Sequence, residues 1–477
     1  MDVVLQISLM LLYFFSVIAI ADAVLHARTS QGAIAWTVSL LTVPFISLPL
    51  YLVFGRRTFD KYIEARKNLD SEINCTAQHL AETLQPYRHT LRADEQRLQV
   101  MESLAPLPFA RANTIDLLID GEETFSAILH ALSEAKRYII VQFYILRHDN
   151  IGRQLQKQLI EKARQNVDVY VLYDSIGSFE LDDQYVDDMK RAGIHAFAFN
   201  STSFRSNRFQ MNFRNHRKIV IVDGETAFLG GFNVGDEYLA QVPDFPVWRD
   251  THFKLSGPCV QLIQLAFAED WVSVTDKMPN LHWEPLVNPS DQNHQHCNLL
   301  VLPWGPVSAI EEGTFSFLHL INAAQKRIWL ASPYFIPDVV MRSALQLAVL
   351  RGVEVRILVP KTTDNFLNQL STFANVKRLS DSGIKFYFYA PGFMHQKILL
   401  IDDAISFVGT ANFSNRSFRL NFEINVLVSD AGFAARVEAM LLKDFGNSYQ
   451  VTKKMIESAP VYFRLLSPVA RLVSPIL

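Results

Sequence analysis

The chain has 477 residues, 49% of them hydrophobic, with 45 Lys and Arg against 48 Asp and Glu and a formal net charge of −3. That length exceeds one hydrophobic core and predicts at least two folded units, and the near balance of charge lacks the broad basic surface expected of a nucleic-acid-binding protein. Three scattered cysteines, Cys75, Cys259 and Cys297, argue against a disulfide framework and favour a reducing compartment.

At the N-terminus Val3 to Ala21 carries no charge, and a second uncharged run between Arg28 and Arg56 has its apolar part from Ala33 to Phe54. A helix of about 20 apolar residues crosses a bilayer, so both runs are long enough and residues 1–57 are predicted to form a transmembrane helical hairpin. A signal peptide would explain "ADA" at Ala21 to Ala23, but the start "MDVV" has no Lys or Arg. Pro44 and Pro49 predict a kinked or re-entrant second run. Arg28 lies between the runs with His26, whereas Arg56, Arg57, Lys61, Arg66 and Lys67 follow the second. Positive residues stay inside, so both ends of the chain are expected in the cytoplasm. Residues 58–107 are poor in turn residues and are predicted to be a helical connector.

From about Leu117 apolar strand-like runs alternate with helical stretches, the pattern of an α/β fold with a covered sheet. The halves match in order. "AKRYIIVQFYIL" answers "QKRIWLASPYFI", "NVDVYVLYD" answers "GVEVRILVP", and Gly193 of "AGIHAFAFN" stands 190 residues before Gly383 of "SGIKFYFYA". "HRKIVIVDGETAFLGGFN" at His216 answers "HQKILLIDDAISFVGTAN" at His395, 179 residues on (395 − 216), so the first half carries about eleven extra residues (190 − 179), in the Arg-rich "STSFRSNRFQMNFRN". Two homologous α/β domains are predicted, 108–285 and 290–448.

The doubled stretch reads H-x-K-x4-D followed by a small-residue pair and Asn. Side chains alternate along a strand, so His216 and Lys218 share a face, as do His395 and Lys397. Asp223 and Asp402, an odd number of positions away, point elsewhere if the strand stays regular, and "DG" at Asp223–Gly224 suits a hairpin turn. Gly230–Gly231 and Gly409–Thr410 allow a close backbone approach. Asn233 and Asn412 can donate to an anionic oxygen. Two copies facing each other supply two imidazoles, two ammonium groups and two amides, enough for displacement at a phosphodiester by one neutral and one protonated histidine. A lone His-x-Lys is most often a surface strand pattern; repetition with the same downstream residues reverses that reading. The spacing is not that of a zinc site. The "HQHC" of His294, His296 and Cys297 looks more metal-like but sits in a polar inter-domain stretch.

The doubled motif resembles the phospholipase D superfamily over about residues 108–448. The resemblance implies two α/β sandwich domains in pseudo-twofold arrangement and a catalytic set of His216, Lys218, Asp223, His395, Lys397 and Asp402. In that superfamily the first histidine usually forms a phosphohistidine and the second acts as acid, although the sequence symmetry alone assigns neither role. It also implies a carboxylate after each motif that orients its histidine, here Asp250 in "WRDTHFKL" and Glu423 in "NFEINVLV". Asn233, Asn412, Gly231 and Thr410 fall where phosphate would be held.

Within the superfamily, the N-terminal runs, "SPYFIP", "NRSFRLNFE" and the apolar tail resemble the bacterial cardiolipin synthases. That resemblance implies transfer of a phosphatidyl group from one phosphatidylglycerol to another with release of glycerol, at the bacterial inner membrane, in a multi-pass protein with cytoplasmic catalytic domains. No nucleotide or metal cofactor and no nucleic acid is expected, and no G-x-x-x-x-G-K-[ST] loop occurs. Arg205, Arg208, Arg214 and Arg217 could hold the second anionic lipid. A phospholipase D hydrolase, a phosphatidylserine synthase and a superfamily nuclease remain as rivals. The tail 449–477 is apolar, with Arg464 and Arg471 seven apart and Pro460, Pro468 and Pro475 preventing a long helix; contact with the membrane and burial against the second domain both suit it.

Overall fold

The computed structural model describes residues 2–27, 30–55, 62–64, 70–199, 212–243, 245–285, 297–308 and 310–477. Arg28, Arg56, Arg57, Lys61, Arg66 and Lys67, on which the expected orientation rests, lie outside them, as do Arg205, Arg208, His294 and His296.

The N-terminal runs form three helices, α1 (Asp2–His26), α2 (Ser30–Thr42) and α3 (Pro44–Phe54). Among the described residues one helix, Val3–His26, is long and apolar enough to cross a membrane. The second run departs from the expected spanning helix because Pro44, with no N–H to continue α2, starts a new helix. Helix α3 folds back on its neighbours. The Tyr51 hydroxyl donates to Asp22 Oδ2 at 2.6 Å, its ring meets Trp36 edge-on at 5.1 Å, and Tyr51 and Leu40 are buried with Ala19 and Ala23.

The body is built on strands β1 (Ala110–Ile119), β2 (Tyr138–Phe143), β3 (Asp168–Asp174), β4 (His195–Phe199), β5 (Arg214–Asn215), β6 (Ile219–Val222), β7 (Thr226–Gly230), β8 (Trp248–Arg249) and β9 (Thr251–Ser256). The second half gives β10 (Cys297–Trp304), β11 (Arg327–Ala331), β12 (Phe335–Ile336), β13 (Glu354–Pro360), β14 (Lys385–Tyr389), β15 (Phe393–Met394), β16 (Ile398–Ile401), β17 (Ile405–Gly409), β18 (Phe413–Ser414), β19 (Asn421–Ser429) and β20 (Ser448–Gln450). The first half runs β1-β9-β7-β6-β2-β3-β4 across its sheet, and the second runs β10-β19-β17-β16-β11-β13-β14-β20, the same order with one added edge strand. Antiparallel pairing of β1 with β10 joins the halves into one sheet. At that seam the register slips beside Ala112, at φ 64°, and Asn113 closes the gap by accepting from Cys259 N at 2.7 Å.

Strands β2, β3 and β4 of the first half and β11, β13 and β14 of the second pair in parallel, which requires crossover helices. Helix Asn150–Arg164 shows why these segments are helical: Ile151, Leu155 and Leu159, four apart, are buried, and Asp149 caps the start by accepting from Gly152 N at 3.0 Å. Asp182, Asp338 and Asn365 cap the other crossovers in the same way. Strands β2, β6, β16 and β19 are buried along their whole length, as strands covered on both faces must be.

Asp223 and Asp402 sit in the β6–β7 and β16–β17 turns at φ 55° and 54°. The Asp223 carboxylate accepts the backbone N–H groups of Lys136, Arg137 and Tyr138 at 2.7–3.0 Å. Asp402 accepts those of Gln325, Lys326 and Arg327, and the Arg97 guanidinium at 2.8 Å. Each therefore anchors its hairpin to the start of the neighbouring strand, β2 for Asp223 and β11 for Asp402. Neither bonds a motif histidine, which corrects their placement in the catalytic set and agrees with strand parity. Asp223→Ala or Asp402→Ala strands three backbone donors, and each substitution is expected to cost about 2–3 kcal/mol, read as a lowered thermal midpoint of the folded protein.

Candidate active site

Each His-x-Lys lies on a short extended link between two strands, not on a regular strand. Strand β5 enters the link for His216 and pairs in parallel with β19 of the second half; β15 enters the link for His395 and pairs in parallel with β8 of the first. The pairing continues into the motifs, where His216 N donates to Phe422 O at 2.9 Å and His395 N to Arg249 O at 2.7 Å. Each histidine is thus held by backbone from the other half.

The carboxylates follow the same exchange. His216 Nδ1 is 2.9 Å from Glu423 Oε2, and His395 Nδ1 is 2.7 Å from Asp250 Oδ2. The expectation that each carboxylate orients the histidine of its own motif is corrected: Asp250 serves the second motif and Glu423 the first. The reason is topological, because Asp250 directly follows β8 and Glu423 lies on β19, the two strands that receive the opposite link. With Nδ1 engaged, each ring has Nε2 free for chemistry.

The two carboxylates differ in their donors. Glu423 accepts from Thr410 Oγ1 at 2.6 Å, Ser417 Oγ at 2.8 Å and Asn421 Nδ2 at 3.1 Å. Burial alone would raise its pKa, but His216, Lys218 and Thr410 hold it below the ordinary carboxylate range. Asp250 accepts from Thr251 N at 2.7 Å, and burial pushes it up to about 6 despite Lys397 and that N–H. Position 231, the counterpart of Thr410, is glycine and contributes no hydroxyl. A Cβ there would overlap the Asp250 carboxylate. Gly231 and Thr410 thus serve the carboxylates, and their own N–H groups are taken by Thr251 O at 3.1 Å and Ile424 O at 3.0 Å. This corrects their reading as phosphate-holding positions.

Burial pushes both imidazoles down, His216 to about 4 against the pull of Glu423, and His395 well below its ordinary value with help from Lys397, Lys218 and His216. The expected contrast between the histidines accordingly arises in their carboxylates. Lys218 Nζ donates to His216 O at 2.7 Å, and Lys397 Nζ donates to His395 O. Both are buried; Lys397 is pushed down to about 8, and Lys218 lies well below its ordinary value.

Asn233 accepts from Ile145 N at 3.1 Å and donates to the Tyr238 hydroxyl at 3.0 Å. Asn412 is buried, and among the described residues its Oδ1 meets no hydrogen-bond partner. Arg217 is not a lipid clamp: it is buried, pairs with Asp270 at 2.8 Å and donates to Ala266 O at 2.9 Å. The Arg214 guanidinium lies near enough to Tyr144 to oppose the rise that burial gives its hydroxyl pKa, and the Tyr144 ring stands edge-on to His216 at 5.1 Å. Arg416, which the motifs did not single out, donates to Asn212 O at 2.8 Å and Oδ1 at 2.9 Å, and burial together with the Arg214 charge pushes it down to about 10. Its signal in the sequence was the "NRSFR" just before Glu423. Cys297 is a buried strand residue whose thiol burial pushes up to about 12.

Residues 128–271 and 317–445 match the family model described as cardiolipin synthase, PLD-like domain, and residues 14–56 match a phospholipase D-nuclease N-terminal family. The chain is 43% identical over 465 residues to cardiolipin synthase A of Pseudomonas aeruginosa, covering 96% of this chain and 94% of that protein. It is 43% identical over 472 residues to cardiolipin synthase A of Pseudomonas fluorescens, covering 98% and 97%. The fold matches the crystal structure of phosphatidylserine synthase from Haemophilus influenzae with a TM-score of 0.62 at 16% identity, over 81% of this chain and 100% of that one.

Because Glu423 raises the His216 pKa, Glu423→Gln is expected to move the acid limb of the kcat/KM–pH profile to lower pH while cutting kcat about 10²-fold in folded protein. An unmoved acid limb would show that the crossed pair does not govern His216.

Proposed function

The chain belongs to the cardiolipin synthases of the phospholipase D-like fold, and from that membership we propose that it transfers a phosphatidyl group from one phosphatidylglycerol to the glycerol hydroxyl of another. The observation that carries this reading is the pair of crossed imidazole–carboxylate contacts, which leaves two Nε2 atoms for one phosphodiester. His216 Nε2 attacks phosphorus, and the bond to the headgroup glycerol oxygen breaks as His395 gives that oxygen its proton. The phosphohistidine keeps a positive ring, which ionised Glu423 stabilises. His395 then takes the proton from a hydroxyl of the second phosphatidylglycerol, whose oxygen attacks phosphorus and frees His216. The His395–Asp250 pair, with Asp250 near 6, holds the proton that moves in both steps. Lys218, Lys397 and Asn412 stabilise charge on the phosphoryl oxygens. Arg214 and Arg416 beside Tyr144 supply positive charge for the second lipid headgroup.

The matching strand orders, apart from the added edge strand β20, and the reciprocal links support a pseudo-twofold relation between domains 108–285 and 290–448. The apolar outer faces of α1 to α3, with Val4, Met10, Phe14 and Phe45 exposed, support a membrane anchor in which α2 and α3 re-enter beside α1, with the catalytic body on the cytoplasmic side. Helix Val461–Ala470 exposes Leu465 and Val469, four apart, on one face, which supports a tail lying on the membrane surface.

Purified protein given phosphatidylglycerol alone is expected to form cardiolipin and free glycerol in equal amounts, and excess glycerol to reverse the reaction, because the exchanged bonds are alike. Predominance of phosphatidic acid would make the enzyme a hydrolase. His216→Ala and His395→Ala are each expected to lose about 10³-fold or more of kcat in protein that remains folded, since each performs a different step of one reaction.

A further inference from the structure

The C-terminal tail does more than close the chain. After β20 pairs with β14 as the edge strand of the sheet, the tail turns through helix Lys453–Glu457 and, past Pro460, helix Val461–Ala470. Phe463 wedges against the body, with its ring 5.9 Å from Phe366 and 5.5 Å from Phe373. Between tail and body this leaves a cleft of about 270 Å³ whose walls include Phe373, Phe388, Val451, Met455, Ile456 and Phe463. An apolar space of this size is a poor place for water and a good one for hydrocarbon.

Three features identify the occupant. The chain that walls the cleft runs directly into a residue of the catalytic surroundings: Lys361 and Thr363 line it, and the next residue, Asp364, accepts from the Tyr334 hydroxyl at 2.6 Å and bears electrostatically on Lys397. Its rim is flanked by an exposed apolar surface, with Val461, Tyr462, Leu465 and Leu472 on the tail and Phe366 and Leu367 on the body. Among the described residues, the lining holds one charged side chain, Lys361, whose ammonium stands 6.0 Å from the Tyr449 ring centre and can donate to the ester oxygens where an acyl chain begins. An apolar slot with one cationic side chain in its lining, beside an exposed apolar surface, has the chemistry of an acyl-chain site. We infer that this cleft binds one acyl chain of a phosphatidylglycerol substrate. This inference rests on the transfer reaction proposed above, and it adds a seat that measures chain length away from the reacting phosphate.

The test uses full-length protein in phosphatidylcholine vesicles carrying phosphatidylglycerol with a diazirine near the end of one acyl chain. Photolysis is expected to give adducts on Phe373, Met455 and Phe463 that excess unlabelled long-chain phosphatidylglycerol suppresses. Ala459→Trp, which fills the cleft from the tail side, is expected to suppress those adducts. It should also lower the ratio of kcat/KM for long-chain over short-chain phosphatidylglycerol about tenfold. Ala459→Leu, a smaller filling that keeps the fold if Trp does not, should give a smaller change in the same direction. Adducts confined to the exposed tail face, or an unchanged chain-length ratio in a folded, filled variant, would overturn the inference. Phosphatidic acid as the product would overturn the transfer reaction instead, while the adduct pattern would still decide the cleft.

Discussion

The site depends on one exchange: each buried histidine takes its carboxylate from the other half of the chain. A carboxylate removed from water costs several kcal/mol unless charge and hydrogen bonds return it. Here that return comes from the opposite imidazole and the lysines, and for Glu423 also from three side-chain donors. Neither half can orient its own histidine. The β1–β10 seam, the β5–β19 and β8–β15 pairings and the long buried strand β19 are the parts that hold the exchange in register. Beneath it lie two further buried ion pairs. Arg217 meets Asp270 within the first half, and Arg249 of the first half reaches Asp444 of the second at 2.8 Å, where Gln396 Nε2 also donates at 2.7 Å. The residue between His and Lys in each motif, Arg217 or Gln396, thus ties the catalytic link down to a buried aspartate.

The unequal carboxylates give a symmetric constellation a direction. Four donors hold Glu423 ionised, so a positive ring on His216 is welcome. Asp250 has fewer donors and remains close to protonation near neutrality, so the His395 pair is the better store for a moving proton. Thr410 against Gly231 accounts for part of this contrast within a single aligned position.

Much of the fold was legible. The paired segments give the succession of strands and helices along both halves because local hydrophobic runs and caps such as Asp149 and Asp338 encode each element where it stands, whereas the order of strands across the sheet arises from pairing between distant segments. Parity alone removed Asp223 and Asp402 from the reacting face. The exchange of Asp250 and Glu423 was not legible, since spacing along the chain says which residues follow a motif and nothing about which edge of the opposite half the link crosses. For the same reason Gly231 read as room for a ligand when it is room for a carboxylate. Arg217 read as a basic-loop residue because its partner Asp270 lies 53 residues away (270 − 217) on a helix with no motif. Pro44 did announce a break, and its place at the start of a new helix suits a residue with no N–H to give, but the folding back of that helix onto α1 through Tyr51 and Asp22 joins residues 29 apart that no motif links.

The crossed contacts bear also on how such a site can change over generations. Two separate identical subunits could reach across to each other in the same way, but any substitution would then appear on both sides at once. With both copies in one polypeptide, threonine could settle at 410 while glycine stayed at 231, and the histidines could specialise without a second gene.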